Sequence, residues 1–128
     1  MKPSHEEWED DHYTYILMLV EQLDLPIEMV DITYAIWMDT YRKAPRTPKS
    51  LVADCVYIVA KMTGNRRSIP LVADASRIVL GSRIRVLPND KRNRDRGRWI
   101  NTEWGKKAIL THIPDEEAFD DMTAEYKA

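Results

Sequence analysis

The sequence is poor in cysteine, glycine and phenylalanine. Among 128 residues there are one cysteine, four glycines and one phenylalanine. A single cysteine, Cys55, excludes an intramolecular disulfide and a zinc site built from cysteine pairs, and it predicts a reducing, intracellular environment. With 44% hydrophobic and 31% charged residues, the composition is that of a globular domain.

Several function classes also lack their sequence signals. No apolar run approaches the roughly 20 residues that a membrane helix needs, and the acidic start of the chain does not resemble a signal peptide. There is no phosphate-binding glycine loop, no H-E-x-x-H motif and no nucleophile elbow, so we expect neither an enzyme nor a cofactor. His5, Glu9 and His12 are spaced to share a helix face, which we interpret as an ordinary solvated face rather than a metal site.

Charge is strongly segregated along the chain. Residues 1–31 contain nine acidic side chains and one lysine, whereas residues 65–107 contain twelve basic and four acidic side chains. Residues 108–128 are acidic again, with six acidic side chains and one lysine. The net charge of -2 therefore hides a cationic region that a polyanion would meet.

The densest part of this region holds five cations within eight residues, Lys91, Arg92, Arg94, Arg96 and Arg98. Cations at this density suit phosphate contacts, and Trp99, which follows them, suits stacking on a base or sugar. The alternative is a solvated loop whose charge is neutralised by the acidic ends of the chain.

Apolar spacing and capping residues predict an all-α protein. The capping-box sequence at Ser4, the N-cap pair Thr47-Pro48 and Ser68 mark helix starts, while Pro45 and Gly64 mark ends. The predicted helices cover residues 4–24, 26–44, 48–63, 68–78 and 80–87. The third is apolar on nearly every face, so we expect it at the centre of the core.

The region after Trp99 is less determined. Residues 99–110 fit either a two-strand ribbon that turns at Gly105 or a helix weakened by that glycine. Residues 115–126 fit a terminal acidic amphipathic helix or a fraying tail.

Three segments carry a resemblance to a known family. They are Leu23-Asp24-Leu25-Pro26, the run from Ala53 to Ala60, and the run from Arg67 to Ser76. They resemble the transcription factor IIB-type cyclin repeat over about residues 23–87. The resemblance implies a five-helix cyclin-like bundle at 1–90, followed by a basic segment at 91–98 and a C-terminal extension at 99–128 that packs on or flanks it.

The chain also departs from the family pattern. It has one repeat instead of two, and it lacks the cysteines of the family's zinc ribbon. Asp54 replaces a small residue of the third helix, and we expect it to form a structural salt bridge with an arginine. By analogy, a lone repeat suits an archaeal or a viral source.

The resemblance implies a DNA-binding transcription regulator. In the family's second repeat, the fourth and fifth helices form a helix-turn-helix, which corresponds here to 68–78 and 80–87. The implied base readers are Ser82, Arg83 and Arg85, while Lys91, Arg92, Arg94, Arg96 and Arg98 would contact phosphates. The partners are then duplex DNA and proteins of the transcription machinery. The alternative is a protein-interaction module of the cyclin fold that binds a partner helix in a groove.

Overall fold

The computed structural model describes residues 5–84, 86 and 98–124, and these residues contain helices but no strand. The helices are α1 (His5–Gln22), α2 (Met29–Thr40), α3 (Pro48–Met62), α4 (Ile69–Leu80), a short 3-10 helix (Arg98–Asn101), α5 (Glu103–His112) and α6 (Glu116–Ala124). The all-α prediction is confirmed for this part of the chain. None of these helices has the length and hydropathy to cross a bilayer.

Helix α3 lies at the centre of the core, as its composition predicted. Every residue from Leu51 to Ala60 is buried, and α1, α2, α4 and α6 pack around the helix. Its start follows the sequence signal, because the Thr47 hydroxyl accepts a hydrogen bond from the Ser50 amide at 3.3 Å and Pro48 occupies the first turn. Burial of each large aliphatic side chain contributes about 1.5–3 kcal/mol, so α3 is the main source of apolar stabilisation.

A buried ion pair accompanies this apolar helix. The Asp54 side chain is fully buried, and Arg46 reaches it from the α2–α3 loop. Arg46 Nε lies 2.8 Å from one carboxylate oxygen, and Nη2 lies 3.0 Å from the other. The expected arginine partner is therefore confirmed, and the two-pronged geometry fixes the loop against the middle of α3.

The end of α1 is closed by a Schellman motif. The Leu25 amide bonds to the Val20 carbonyl at 2.9 Å, and the Asp24 amide bonds to the Glu21 carbonyl at 3.0 Å. Asp24 has φ 54°, the left-handed conformation that this motif requires. Arg67 then donates from Nε to the Leu23 carbonyl and from Nη2 to the Asp24 carbonyl, both at 2.9 Å. The arginine of the family-like motif thus joins the end of α1 to the α3–α4 loop.

The prediction of a fifth helix at 80–87 is wrong. Beyond Leu80, none of its residues that the structure describes is helical. Leu80 ends α4, and Gly81 follows with φ 81° as a left-handed cap. The chain from Gly81 to Ile84 is not helical, and neither is Val86. The glycine terminates the helix because it takes the left-handed conformation without the steric cost of a side chain.

Helices α5 and α6 belong to the same core as the earlier helices. Ile109 of α5, which packs on α2, and Met122 of α6, which packs on α3, are fully buried. Residues 99–110 are therefore not a ribbon. Gly105 lies inside α5, at a place where the Trp99 backbone approaches closely. A Cβ there would overlap the Trp99 carbonyl oxygen and lie 3.0 Å from Thr102 Oγ1, so the position requires glycine. The helix alternative for the C-terminal acidic stretch is confirmed over Glu116–Ala124.

Candidate nucleic-acid interface

The segment after α4 is held against that helix by side chains of α4 itself. The buried Ser76 hydroxyl donates to the Ala73 carbonyl at 2.6 Å and accepts from the Ile84 amide at 2.9 Å. Ile84 is 8% exposed and Val86 is 2% exposed. Ile84 and Val86 therefore return to the core, and residues 81–84 do not project as a recognition helix.

Two of the predicted base readers lie in this segment. Ser82 and Arg83 are exposed, but Arg83 Nε is 3.0 Å from Asp74 Oδ1. This pair is open to water, with side-chain exposures of 48% for Arg83 and 62% for Asp74. Neither residue lies on a helix, so the helix-turn-helix over 68–87 does not form in the described residues.

The predicted phosphate-contacting residues fall mainly outside the described part of the chain. This is the case for Lys91, Arg92, Arg94 and Arg96, and for the predicted reader Arg85. Arg98 is placed as the first residue of the 3-10 helix. The structure describes Val86, five positions before the cationic stretch, and Arg98, the last residue of that stretch.

Trp99 does not have the role that its position suggested. It is 1% exposed, so stacking on a base is excluded in this conformation. Its ring stacks on Trp104, with centroids 6.1 Å apart and planes inclined by 16°. Together with the fully buried Ile100, Trp99 anchors the end of the cationic stretch in the core.

Helix α5 begins directly after this anchor. Thr102 is its N-cap and accepts a hydrogen bond from the Gly105 amide at 3.0 Å, while its own hydroxyl donates to the Trp99 carbonyl at 2.6 Å. Lys107 is exposed on the second turn. Lys107 lies nine positions after Arg98 and is therefore a further cation near the segment. It belongs to a stretch for which the sequence allowed either a helix or a ribbon.

Other cations near α5 were not singled out from the sequence. The Lys43 ammonium lies 6.0 Å from the centre of the Trp104 ring, and the Lys106 ammonium lies 5.5 Å from the centre of the Phe119 ring. Each of these contacts joins residues that are far apart in sequence and meet only in the folded chain. The signal available in the sequence was the pair Lys106-Lys107 beside two tryptophans.

The first turns of α1 form a different kind of cluster. The His12 ring is buried and stacks on Trp37 at 4.6 Å between centroids, so the expectation of a solvated face is wrong at His12. The Tyr41 hydroxyl donates to Glu9 at 3.0 Å and accepts from Arg42 Nε at 2.9 Å, and this latter bond raises the pKa of Arg42. The described residues contain no group of three or more ligands suited to a metal ion.

No model of a known protein family matches the chain, and neither a curated protein nor a solved structure is significantly similar to it. Its function must therefore be argued from its own residues.

Proposed function

We propose that the protein binds duplex DNA through the cationic segment 91–98 and the start of α5, and that it acts as a transcription regulator. One observation carries the proposal. Five cations within eight residues lead directly into a 3-10 helix whose Trp99 and Ile100 are buried. The chain thereby enters the core directly after Arg98, the last cation of the stretch.

This attachment matters for binding energy. Val86 precedes the stretch and Trp99 follows it, and both are almost completely buried. A segment that is joined to a folded domain at both of its ends has less conformational freedom to lose on binding than a free tail. Each arginine that neutralises a phosphate also releases counterions, which favours binding at low salt.

In this proposal α5 replaces residues 80–87, which the family resemblance implied as the DNA-reading helix. Helix α5, which packs on α2, is the helix that faces the duplex, while α4 packs on α1 and α3. Lys107 on α5 is then the first fully exposed cation of α5 after the duplex-contacting segment. Arg83 contributes a phosphate contact at most, because it already pairs with Asp74.

The test is fluorescence anisotropy with labelled duplex DNA at several salt concentrations. Wild-type affinity should fall steeply with salt, and the double variant Arg94→Ala/Arg96→Ala should reduce the log–log slope by about 2, since each phosphate contact contributes about 0.9. Lys107→Ala should reduce the slope by about 1. Lys49→Ala is the control, because it removes an exposed lysine of α3 outside the proposed interface.

Two results would overturn the proposal. One is the absence of binding at low salt. The other is an unchanged slope in the Arg94→Ala/Arg96→Ala variant, which would remove the cationic segment from the interface. A preference between AT-rich and mixed-sequence duplexes, lost in Lys107→Ala, would support α5 as the reading helix.

A protein-interaction module is the second candidate function. The observation in its favour is the exposure of large apolar side chains on neighbouring helices, with Met18 of α1 at 45% and Ile78 of α4 at 68%. Exposed apolar side chains that share one depression suit a protein partner better than a polyanion.

A further inference from the structure

Two cavities lie along one face of α1. Asp11, Tyr15, Met18 and Gln22 recur at intervals of four, three and four residues, so they lie along one side of the helix. The first cavity borders Asp11 and Tyr15, and the second borders Met18 and Gln22. From Asp11 to Gln22 this face is about 16 Å long, because an α-helix rises about 1.5 Å per residue.

The cavity near the start of α1 has a volume of about 440 Å³. Its walls come from α1 and from the loop that precedes α3, and they are formed by Asp11, His12, Tyr15, Thr47, Pro48 and Lys49. The Lys49 ammonium lies 5.4 Å from the centre of the Tyr15 ring. This end of the face is thus aromatic, with one acidic and one basic side chain at its border.

The second cavity, near the end of α1, is smaller and has two large exposed apolar side chains on its border. Its volume is about 250 Å³, and it is lined by Met18, Glu21, Gln22, Ile78 and Val79. Ile78 is 68% exposed and Met18 is 45% exposed. These side chains leave apolar surface in water that a partner would cover.

We propose that this face binds an amphipathic helix of a partner protein, with an apolar stripe towards Met18 and Ile78 and basic residues on its flanks. The inference develops the second candidate function and is independent of DNA binding. A helix suits the site because the face is three turns long and the described residues contain no strand whose edge could pair with an extended peptide. We call this face, together with its two cavities, the α1–α4 surface, and it is the proposed docking site.

The charge of α1 decides the chemistry of the flanks. The exposed ionised side chains of α1 that the structure describes are Asp10, Asp11 and Glu21, and all are acidic. Among the side chains that border the two cavities, Asp11 and Glu21 are acidic and Lys49, which lies over the Tyr15 ring, is basic. Basic flanks on the partner helix would complement this surface, and acidic flanks would be repelled.

Binding can be tested with a synthetic amphipathic peptide of about four helical turns that has leucines on one face and lysines beside them. The readout is methyl NMR of the full chain. The methyl groups of Met18 and Ile78 should shift on titration, while those of Ile27 should not. Ile27 is a matched reference because it is 56% exposed in the α1–α2 loop, outside both cavities.

Variants give the quantitative test. Ile78→Glu should weaken peptide binding at least about tenfold, whereas Ile27→Glu should change it less than about twofold. Glu21→Lys should weaken binding of the lysine peptide and favour its glutamate counterpart, and Asp121→Lys on α6 is the control for net charge. DNA affinity of Ile78→Glu should equal that of wild type, which separates this inference from the proposed DNA interface.

Three outcomes would overturn the inference. The first is the absence of methyl shifts, and the second is an equal response of Ile27 and Ile78. The third is a concentration-dependent dimer in sedimentation experiments that Ile78→Glu abolishes, because the occupant would then be a second copy of the chain.

Discussion

The buried Arg46–Asp54 pair gives the sharpest stability prediction. Asp54 is fully buried and Arg46 has only 8% of its side chain exposed. Arg46→Ala would leave the carboxylate in an apolar helix without its two-pronged partner. Breaking a buried pair in this way costs about 3–5 kcal/mol, which is a large part of the 5–15 kcal/mol by which domains are typically stable.

Urea denaturation monitored by circular dichroism measures this cost. With a slope of about 2 kcal/mol per molar urea, the expected loss moves the midpoint down by about 2 M. The Arg83–Asp74 pair is an internal control, since it has the same chemistry and a 3.0 Å contact but is half exposed. Arg83→Ala should cost no more than about 1 kcal/mol.

A variant without either charge separates the cost of an unpaired carboxylate from the loss of the ion pair. Replacement of both partners by apolar residues, Arg46→Met with Asp54→Leu, should recover most of the loss, because neither variant side chain leaves an unpaired buried charge. The reasoning is refuted if Arg46→Ala costs no more than Arg83→Ala. It is also refuted if the double variant is as unstable as Arg46→Ala alone.

Two further changes test other parts of the core. Gly105→Ala should destabilise the protein by about 1–3 kcal/mol, because the added methyl overlaps the Trp99 carbonyl oxygen; an unchanged urea midpoint would contradict the packing role of this glycine. Burial, and secondarily the Asp54 charge, raise the pKa of the Cys55 thiol well above its ordinary value, although its hydrogen bond with Thr40 lowers it. Above the unfolded-state value of about 8.5, the unfolded chain releases the thiol proton while the folded chain keeps it. The free energy of unfolding should therefore fall between pH 7.5 and 9.5 by about 1.4 kcal/mol more in wild type than in Cys55→Ala, and parallel urea stability profiles of the two proteins would contradict this.

The first four helices could be predicted because their signals are local. Thr47 and Ser68 cap helices through contacts three residues away, and such spacing can be read from the sequence. The all-round apolar character of α3 likewise predicts its burial. That Asp54 needs an arginine also follows from its apolar surroundings, but the choice of Arg46 depends on how the α2–α3 loop folds.

The errors after α4 have two different physical origins. Gly81 directly follows the last apolar position of α4, which is a readable stop signal, and the spacing of Ile84 and Val86 is not helical. Gly105, in contrast, looked like a turn residue because nothing local shows that the Trp99 carbonyl approaches it. The burial of Trp99 was missed for the same reason, since it depends on Trp104 and on the packing of α5.

The candidate interface was only partly readable from the sequence. The cation density of 91–98 needs no structure to be seen. Lys107, however, becomes a candidate only when α5 is a helix with that position exposed. The α1–α4 surface was also unreadable, because Met18 and Ile78 occupy positions whose exposure is set by the crossing of two helices.

The position of α3 has a consequence for synthesis of the chain. Helix α6 covers part of α3, and its Phe119 and Met122 are buried there. A nascent chain that lacks residues 116–124 therefore leaves apolar surface of its innermost helix in water. The core can close only after those residues have left the ribosome, and until then the growing chain presents a surface that chaperones recognise.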